Sequence, residues 1–279
     1  MSWASNHDAS LDKLRRVQGS LTVGLMMVPR ADFLTCSLSH SAAEVKASNE
    51  DNYSFLPVVD GGDRVIGLYN AEQWFASEPQ DEMVGADYLA LSEDTVIGAD
   101  ASIFDFIRNA DEVSTKLVVS GEGVAGLVSL SDIQQLPVRA ALFALVTSLE
   151  MAMSLAIERR WERPADWMGL LSESGKEGLL TKIENAKQRD GFVSEIAFTE
   201  FSQKSTILIK GGLLSGSRSS HDAKFKPIRK LRDNLAHANS YADTPEAAKS
   251  VCRVVRCIYH IKDELLLRPR VDKLGEGTA

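Results

Sequence analysis

The sequence predicts an α+β fold, with an N-terminal half of paired βαββα units followed by an all-α helical bundle. Three observations carry this. A strand–turn–strand pattern occurs twice in the first half, with its pivotal glycines Gly67 and Gly126 59 residues apart. After Pro137 the apolar residues keep helical spacing to the end of the chain. The charge divides at the same point. Residues 1–137 hold 8 Lys/Arg and 21 Asp/Glu, net −13, whereas residues 138–279 hold 23 and 18, net +5.

At 279 residues, 44% hydrophobic and 25% charged, the composition excludes a wholly disordered, collagenous or fibrous chain. Two domains are expected at this length. Residues 1–20 read as a leader segment without the basic-then-apolar order of a secretory signal. The repeats occupy 21–137 (about 21–78 and 84–137), the bundle 138–270, and a tail 271–279. The most apolar window, Val138 to Ile157, carries Arg139 and Glu150, so it reads as a buried helix and no membrane partner is expected. Cys36, Cys252 and Cys257 lack metal-ligand spacing, and a cytoplasmic, reduced protein is expected.

In the first repeat, Phe55-Leu-Pro-Val-Val-Asp60 and Arg64-Val-Ile-Gly-Leu-Tyr-Asn70 flank Gly61-Gly62. In the second, Thr115-Lys-Leu-Val-Val-Ser120 and Val124-Ala-Gly-Leu-Val-Ser129 flank Gly121-Glu-Gly123. Each is an apolar hairpin around a tight turn. Helices are expected before them at 42–48 and 102–110, and short ones after them near 72–75 and 131–135. This repeated Pro-Val-Val-Asp…Val-Ile-Gly-Leu pattern resembles a tandem pair of CBS domains (a Bateman module) over residues 20–137. Leu117 and Ser120 depart from it, replacing the proline and the aspartate.

The resemblance implies one adenine-nucleotide pocket, a regulatory ligand site rather than a catalytic cofactor site. It is centred on Ser129 and Asp132 of Gly126-Leu-Val-Ser-Leu-Ser-Asp132, with Thr95 and Lys116 completing it. A carboxylate accepts hydrogen bonds from a ribose diol, and a hydroxyl donates to phosphate. The first repeat has Gln73 where the ribose carboxylate would stand. Asp132 also suits the start of the helix that follows, so ligand binding and helix capping both remain open.

In the second half, residues 138–161 place Leu142, Leu145, Val146, Leu149, Met153 and Ile157 on one stripe. Pro164 is expected to break the chain. Helices are expected at about 166–188, ending before Asp190-Gly191, and at 194–210. A polar loop is expected at 213–222, and a helix that Pro227 opens. The last helix, about 245–267, buries Val251, Val255, Ile258 and Leu265. His40, His221 and His260 are expected to be structural or exposed.

The segment Lys226-Pro-Ile-Arg229-Lys230-Leu-Arg232-Asp233-Asn234-Leu-Ala-His237 lies in a stretch, 203–240, with 8 basic and 2 acidic residues. An arginine, four residues and a histidine in a small helical bundle resemble the HEPN family, many of whose members are metal-independent, dimeric ribonucleases. The resemblance implies a catalytic set of Arg232, His237, Asp233 and Asn234, no catalytic cofactor or metal, and a partner carboxylate for Arg232 in Glu150. RNA would be held by Lys226, Arg229 and Lys230, and a homodimer is implied, with a tetramer open.

Cutting RNA without a metal takes a base for the 2′-hydroxyl proton and a cation for the phosphorane. His and Arg meet those needs, and a twofold axis supplies a second His. On a straight helix, however, Arg232 and His237 stand about 140° apart. Either the helix breaks near Asn234 or the pair converges across a dimer interface. Arg229, Asp233 and His237 would equally form an ordinary solvent-facing ladder. Residues 132–137 run into the bundle without a flexible linker. A nucleotide-regulated endoribonuclease and a catalytically inactive nucleotide-binding scaffold both follow from these residues.

Overall fold

The computed structural model describes residues 7–79, 82–189 and 194–267. The elements begin with α1 (His7–Ser20), β1 (Val28–Pro29), β2 (Cys36–Ser37), α2 (Ala42–Ser48), β3 (Phe55–Val59) and β4 (Val65–Asn70). The second repeat follows as β5 (Leu89–Ala90), β6 (Val96–Gly98), α3 (Ile103–Ile107), β7 (Thr115–Ser120) and β8 (Gly123–Ser129). Short 3-10 turns at Glu72–Trp74 and Leu130–Gln134 close the two repeats, where short helices are expected from the sequence. The fold is mixed, a half built of two sheets and short helices followed by a helical region. The described residues fall into two compact units, one of 19–139 and 242–252, the other of the described parts of 1–18, 140–241 and 253–279.

In the first unit the two sheets run β2-β3-β4-β5 and β1-β8-β7-β6. β2 is parallel to β3, and β6 to β7, while both hairpins are antiparallel. Each hairpin shifts register at the same place, between Val58 and Val59 and between Val118 and Val119. One outer strand of each sheet comes from the other repeat. β1, which opens the first repeat, pairs with β8 of the second, and β5, which opens the second, pairs with β4 of the first. The linkers match this exchange, with Val23 N donating to Ala101 O at 2.8 Å and Val84 N to His40 O at 2.9 Å.

The repeated glycines follow from this exchange. A Cβ on Gly67 would land on the Leu89 carbonyl oxygen, and one on Gly126 would come 2.5 Å from that of Val28. Only a residue without a side chain lets the incoming strand pair. Helices α2 and α3 both start on capping boxes, Ser41 with Glu44 and Ser102 with Asp105. Val45 of α2 packs into a buried cluster with Cys36, Leu56, Val58 and Tyr69. Leu68, Leu117 and Leu127 from the two hairpins pack into a further cluster.

The helical elements are α4 (Leu136–Arg160), α5 (Pro164–Met168), α6 (Glu173–Lys187), α7 (Phe201–Lys210), α8 (Arg218–Ala236) and α9 (Pro245–Leu267). All six stripe positions expected on α4 are buried, as are Val251, Val255, Ile258 and Leu265 of α9. Among the described residues α4 is the one helix long and apolar enough to cross a membrane, and 67% of its most apolar window is buried inside the protein.

Three expectations need correction. The helix expected at 166–188 is two. Pro164 opens α5 rather than ending structure, since its fixed φ suits a first turn, and Ser172 caps α6 separately. Asp190 and Gly191 lie outside the described residues, as do 1–6 and the 271–279 tail. The helix expected at 194–210 is a 3-10 turn, Glu195–Phe198, followed by α7. Pro227 does not open α8 but sits inside it, and residues 218–222 are helix rather than loop. Ser217 caps α8, its hydroxyl accepting from Ser220 N at 3.2 Å. Burial of His221 and of Phe225, which packs edge-on against Phe201, anchors the turns ahead of the proline. Tertiary packing thus outweighs the backbone bond that proline forfeits.

Candidate functional site

The residues expected to bind nucleotide gather at one end of the second repeat. Thr115 pairs with Ser129 across the hairpin, and Leu117 N donates to Thr95 O at 2.8 Å, which brings Thr95 beside Lys116. Asp132 is 6% exposed and engaged on both oxygens. Ser129 donates to Oδ2 from its backbone N at 2.6 Å and from its hydroxyl at 2.9 Å, and Gln135 Nε2 donates to Oδ1 at 2.8 Å. Burial pushes the Asp132 carboxyl above its usual range, against the lowering effect of these bonds. A carboxylate has about four lone-pair sites, so these three bonds leave room for one more donor. Thr95 Oγ1 donates within its own loop to Ala90 O at 3.1 Å, and Lys116 Nζ to Glu93 O at 3.2 Å. At the corresponding end of the first repeat, Gln73 stands where Asp132 stands in the second. There Asn70 Oδ1 accepts from Glu72 N, and Trp74 Nε1 donates to Tyr69 OH at 2.8 Å.

In the helical unit, Arg232 projects from α8 onto a carboxylate of α4. Its Nε donates to Glu150 Oε1 at 3.2 Å, and its Nη1 to Asp233 Oδ1 at 3.1 Å. The ion pair implied between Glu150 and Arg232 is therefore formed. Burial works against the charge of Arg232, but Asp233 and Glu150 together hold it protonated beyond its ordinary range. The second oxygen of Glu150 lies 3.9 Å from the ammonium of Lys204 on α7. Lys182 of α6 and Glu200, just ahead of α7, form a further pair at 2.9 Å. The hydrogen bond and charge of Lys182, with a contribution from Arg232, keep the Glu200 carboxyl below its usual range.

His237 is exposed and forms the C-cap of α8. The helix does not break near Asn234, because His237 N still donates to Asp233 O at 3.1 Å. Asn234 instead closes the helix end, its carbonyl accepting from Asn239 N at 2.9 Å, with Ala238 at a φ of 55°. Within one chain, helical geometry keeps Arg232 and His237 about 140° apart. Lys226, Arg229 and Lys230 are exposed along α8.

Two buried cations have no place in the sequence-level reading. Lys204 is 5% exposed and Lys262 7%. Lys262 Nζ donates to Ser148 Oγ at 2.7 Å, and burial lowers its pKa to about 8. Both sit on the buried face of their helix, Lys204 between Phe201 and Leu208, and Lys262 between Ile258 and Leu265. A lysine at a core position of an amphipathic helix was the available signal.

The N-terminal unit is thus an α/β pair of exchanged hairpins with a buried carboxylate at one tip, and the helical unit carries a partly buried ion cluster. No family model matches the chain, and no curated protein matches it significantly. Several solved CBS-domain structures are similar to part of it. The CBS domain of a bacterial CNNM/CorC-family Mg2+ transporter in complex with ATP is 17% identical, over 45% of this chain and 93% of that one, with a TM-score of 0.36. A CBS-pair protein of Arabidopsis thaliana is 22% identical over 43% and 94%, with a TM-score of 0.35. The CBS domains of a transcriptional regulator from Streptococcus pneumoniae are 14% identical over 40% and 95%, with a TM-score of 0.34.

Proposed function

We propose that this chain is a nucleotide-sensing, HEPN-type, metal-independent endoribonuclease. It acts as a homodimer, in which the Arg232/His237 pairs of two copies meet on the RNA. The observation that carries this reading is the partly buried ion pair of Arg232 with Glu150, which fixes a guanidinium beside the exposed basic residues Lys226, Arg229 and Lys230. Nη2 of Arg232 and the second proton on Nη1 are left for phosphate oxygens, whose geometry the guanidinium fork matches. His237, exposed at the helix end, takes the 2′-hydroxyl proton, and its copy in the second chain protonates the leaving oxygen. Asp233 orients Arg232, and Asn234 holds the helix end that presents His237. The CBS-like pair binds an adenine nucleotide at Ser129, Asp132, Thr95 and Lys116 and sets the rate of cleavage.

The test is cleavage of labelled RNA in EDTA, with and without nucleotide. Wild type is expected to cut, and His237→Ala and Arg232→Ala to slow cutting by about 10²-fold or more. RNA left intact under every nucleotide condition rejects the nuclease. Calorimetry with ATP, ADP, AMP and S-adenosylmethionine, against Asp132→Ala, tests the pocket. Coupling between the two sites must be reciprocal, typically about 1–3 kcal/mol.

A second reading, a catalytically inactive nucleotide-binding scaffold, is favoured by the internal commitments of Arg232 to Glu150 and Asp233. It predicts RNA binding or partner binding without cleavage.

A further inference from the structure

Lys204 is an expensive residue to keep where it stands. It occupies a core position of α7, 5% exposed, where a methionine of similar shape would bury without desolvating a charge. Its Nζ donates to Thr199 O at 3.0 Å, which satisfies one proton but neutralises nothing. The carboxylate within ion-pair distance of it, among the described residues, is Glu150, and Glu150 is the group that holds Arg232. Burial lowers the pKa of Lys204, the charge of Glu150 raises it, and Arg232 lowers it further.

The charges around Arg232 show what Lys204 adds. Asp233 and Glu150 both lie against Arg232, so these three groups alone carry a net negative charge where a phosphate must arrive. With Lys204 the group is neutral. The adjoining Lys182–Glu200 pair is neutral by itself. We propose that Lys204 is a positioning residue for Arg232 that acts through Glu150. It draws one carboxylate oxygen of Glu150 toward α7, so that the other meets Nε of Arg232, and it offsets the Glu150 charge that a phosphate would otherwise face. This inference rests on reading Arg232 as the phosphate-binding group.

The experiment is a double-mutant cycle on the full-length protein with Lys204→Met, Glu150→Gln and the pair together, all checked for folding by far-UV circular dichroism. Two readouts are taken, kcat and KM for RNA cleavage in EDTA, and the 15N–1H signal of Arg232 Nε, assigned by its loss in Arg232→Lys. K204M is expected to displace the Nε signal and to lower kcat by about 10²-fold, the scale of a misplaced catalytic group. Lys204→Arg, which keeps the charge, is expected to recover most of that loss. Because Lys204 acts only through Glu150, adding K204M to E150Q is expected to change kcat by less than about twofold. If E150Q fails to fold because it leaves the buried charge of Lys204 unanswered, K204M and Lys204→Arg against wild type still carry the test.

An unmoved Nε signal with unchanged kcat in K204M overturns the proposal. So does a further tenfold loss when K204M is added to E150Q. If wild type leaves RNA intact, the nuclease reading fails by itself, and the Nε signal still reports whether Lys204 positions Arg232.

Discussion

Gly67 and Gly126 answer the same demand in the two repeats, whereas Gln73 and Asp132, displaced by the same 59 residues, share nothing. Both glycines admit a strand contributed from outside their hairpin, β5 against β4 and β1 against β8. Gln73 is exposed, while Asp132 is buried and bonded on both oxygens. Positions used by the strand exchange are therefore held alike in both halves, and positions at the tips are left to diverge. One tip became a self-bonded carboxylate, and the other an aromatic pair of Tyr69 and Trp74.

The largest effect expected from this comparison is on the glycines. Gly67→Ala and Gly126→Ala are each expected to cost about 3 kcal/mol, because the added methyl meets a backbone carbonyl that can move only with its strand. Equilibrium urea unfolding measures this. If either alanine costs less than about 1 kcal/mol, the two exchanges are not mechanically equivalent.

The equality of the halves is legible in the sequence because it rests on local signals: apolar strands around a tight turn and a glycine at a fixed offset. The exchange itself was not legible. β1 and β5 are two residues long, too short for any periodicity, and their partners are remote in the chain. The bundle was read well where burial stripes were long, on α4 and α9. It was misread at Pro227, where Phe225 and His221 decide the helix through tertiary contact. Of the ion cluster, Arg232 and Glu150 were found through a motif and a family resemblance. Lys204 was missed because a lone lysine at a core position of a helix reads as noise until its partner on another helix is known.

The tips give the next largest difference. Asp132→Ala removes the acceptor for Ser129 N, Ser129 Oγ and Gln135 Nε2. Loss of such a helix-start carboxylate is expected to cost about 1–2 kcal/mol. Gln73→Ala is expected to stay within about 0.5 kcal/mol, as for an exposed side chain. Comparable losses at both positions in urea unfolding would mean that the asymmetry of the tips is only apparent.

The smallest effect has the sharpest sign. Asp60, at the turn of the first hairpin, accepts from the backbone of Arg64 and Gly62 and from the Arg64 guanidinium, which hold its carboxyl below the usual range. The folded chain therefore releases that proton more readily than the unfolded one. The stability Asp60 contributes is present above the unfolded carboxylate value and is lost as pH falls through the folded one. Asp132 runs the other way, because burial raises it. The folded state keeps that proton longer, so stability falls as pH rises from the unfolded value to the folded one, and is level beyond. Between about pH 3 and pH 7, Asp60→Asn should therefore lose ground to wild type, while Asp132→Asn should gain on it. Urea midpoints across that range read both. Parallel drift of the two variants would show that burial does not govern Asp132, and that its three hydrogen bonds, like those of Asp60, dominate instead.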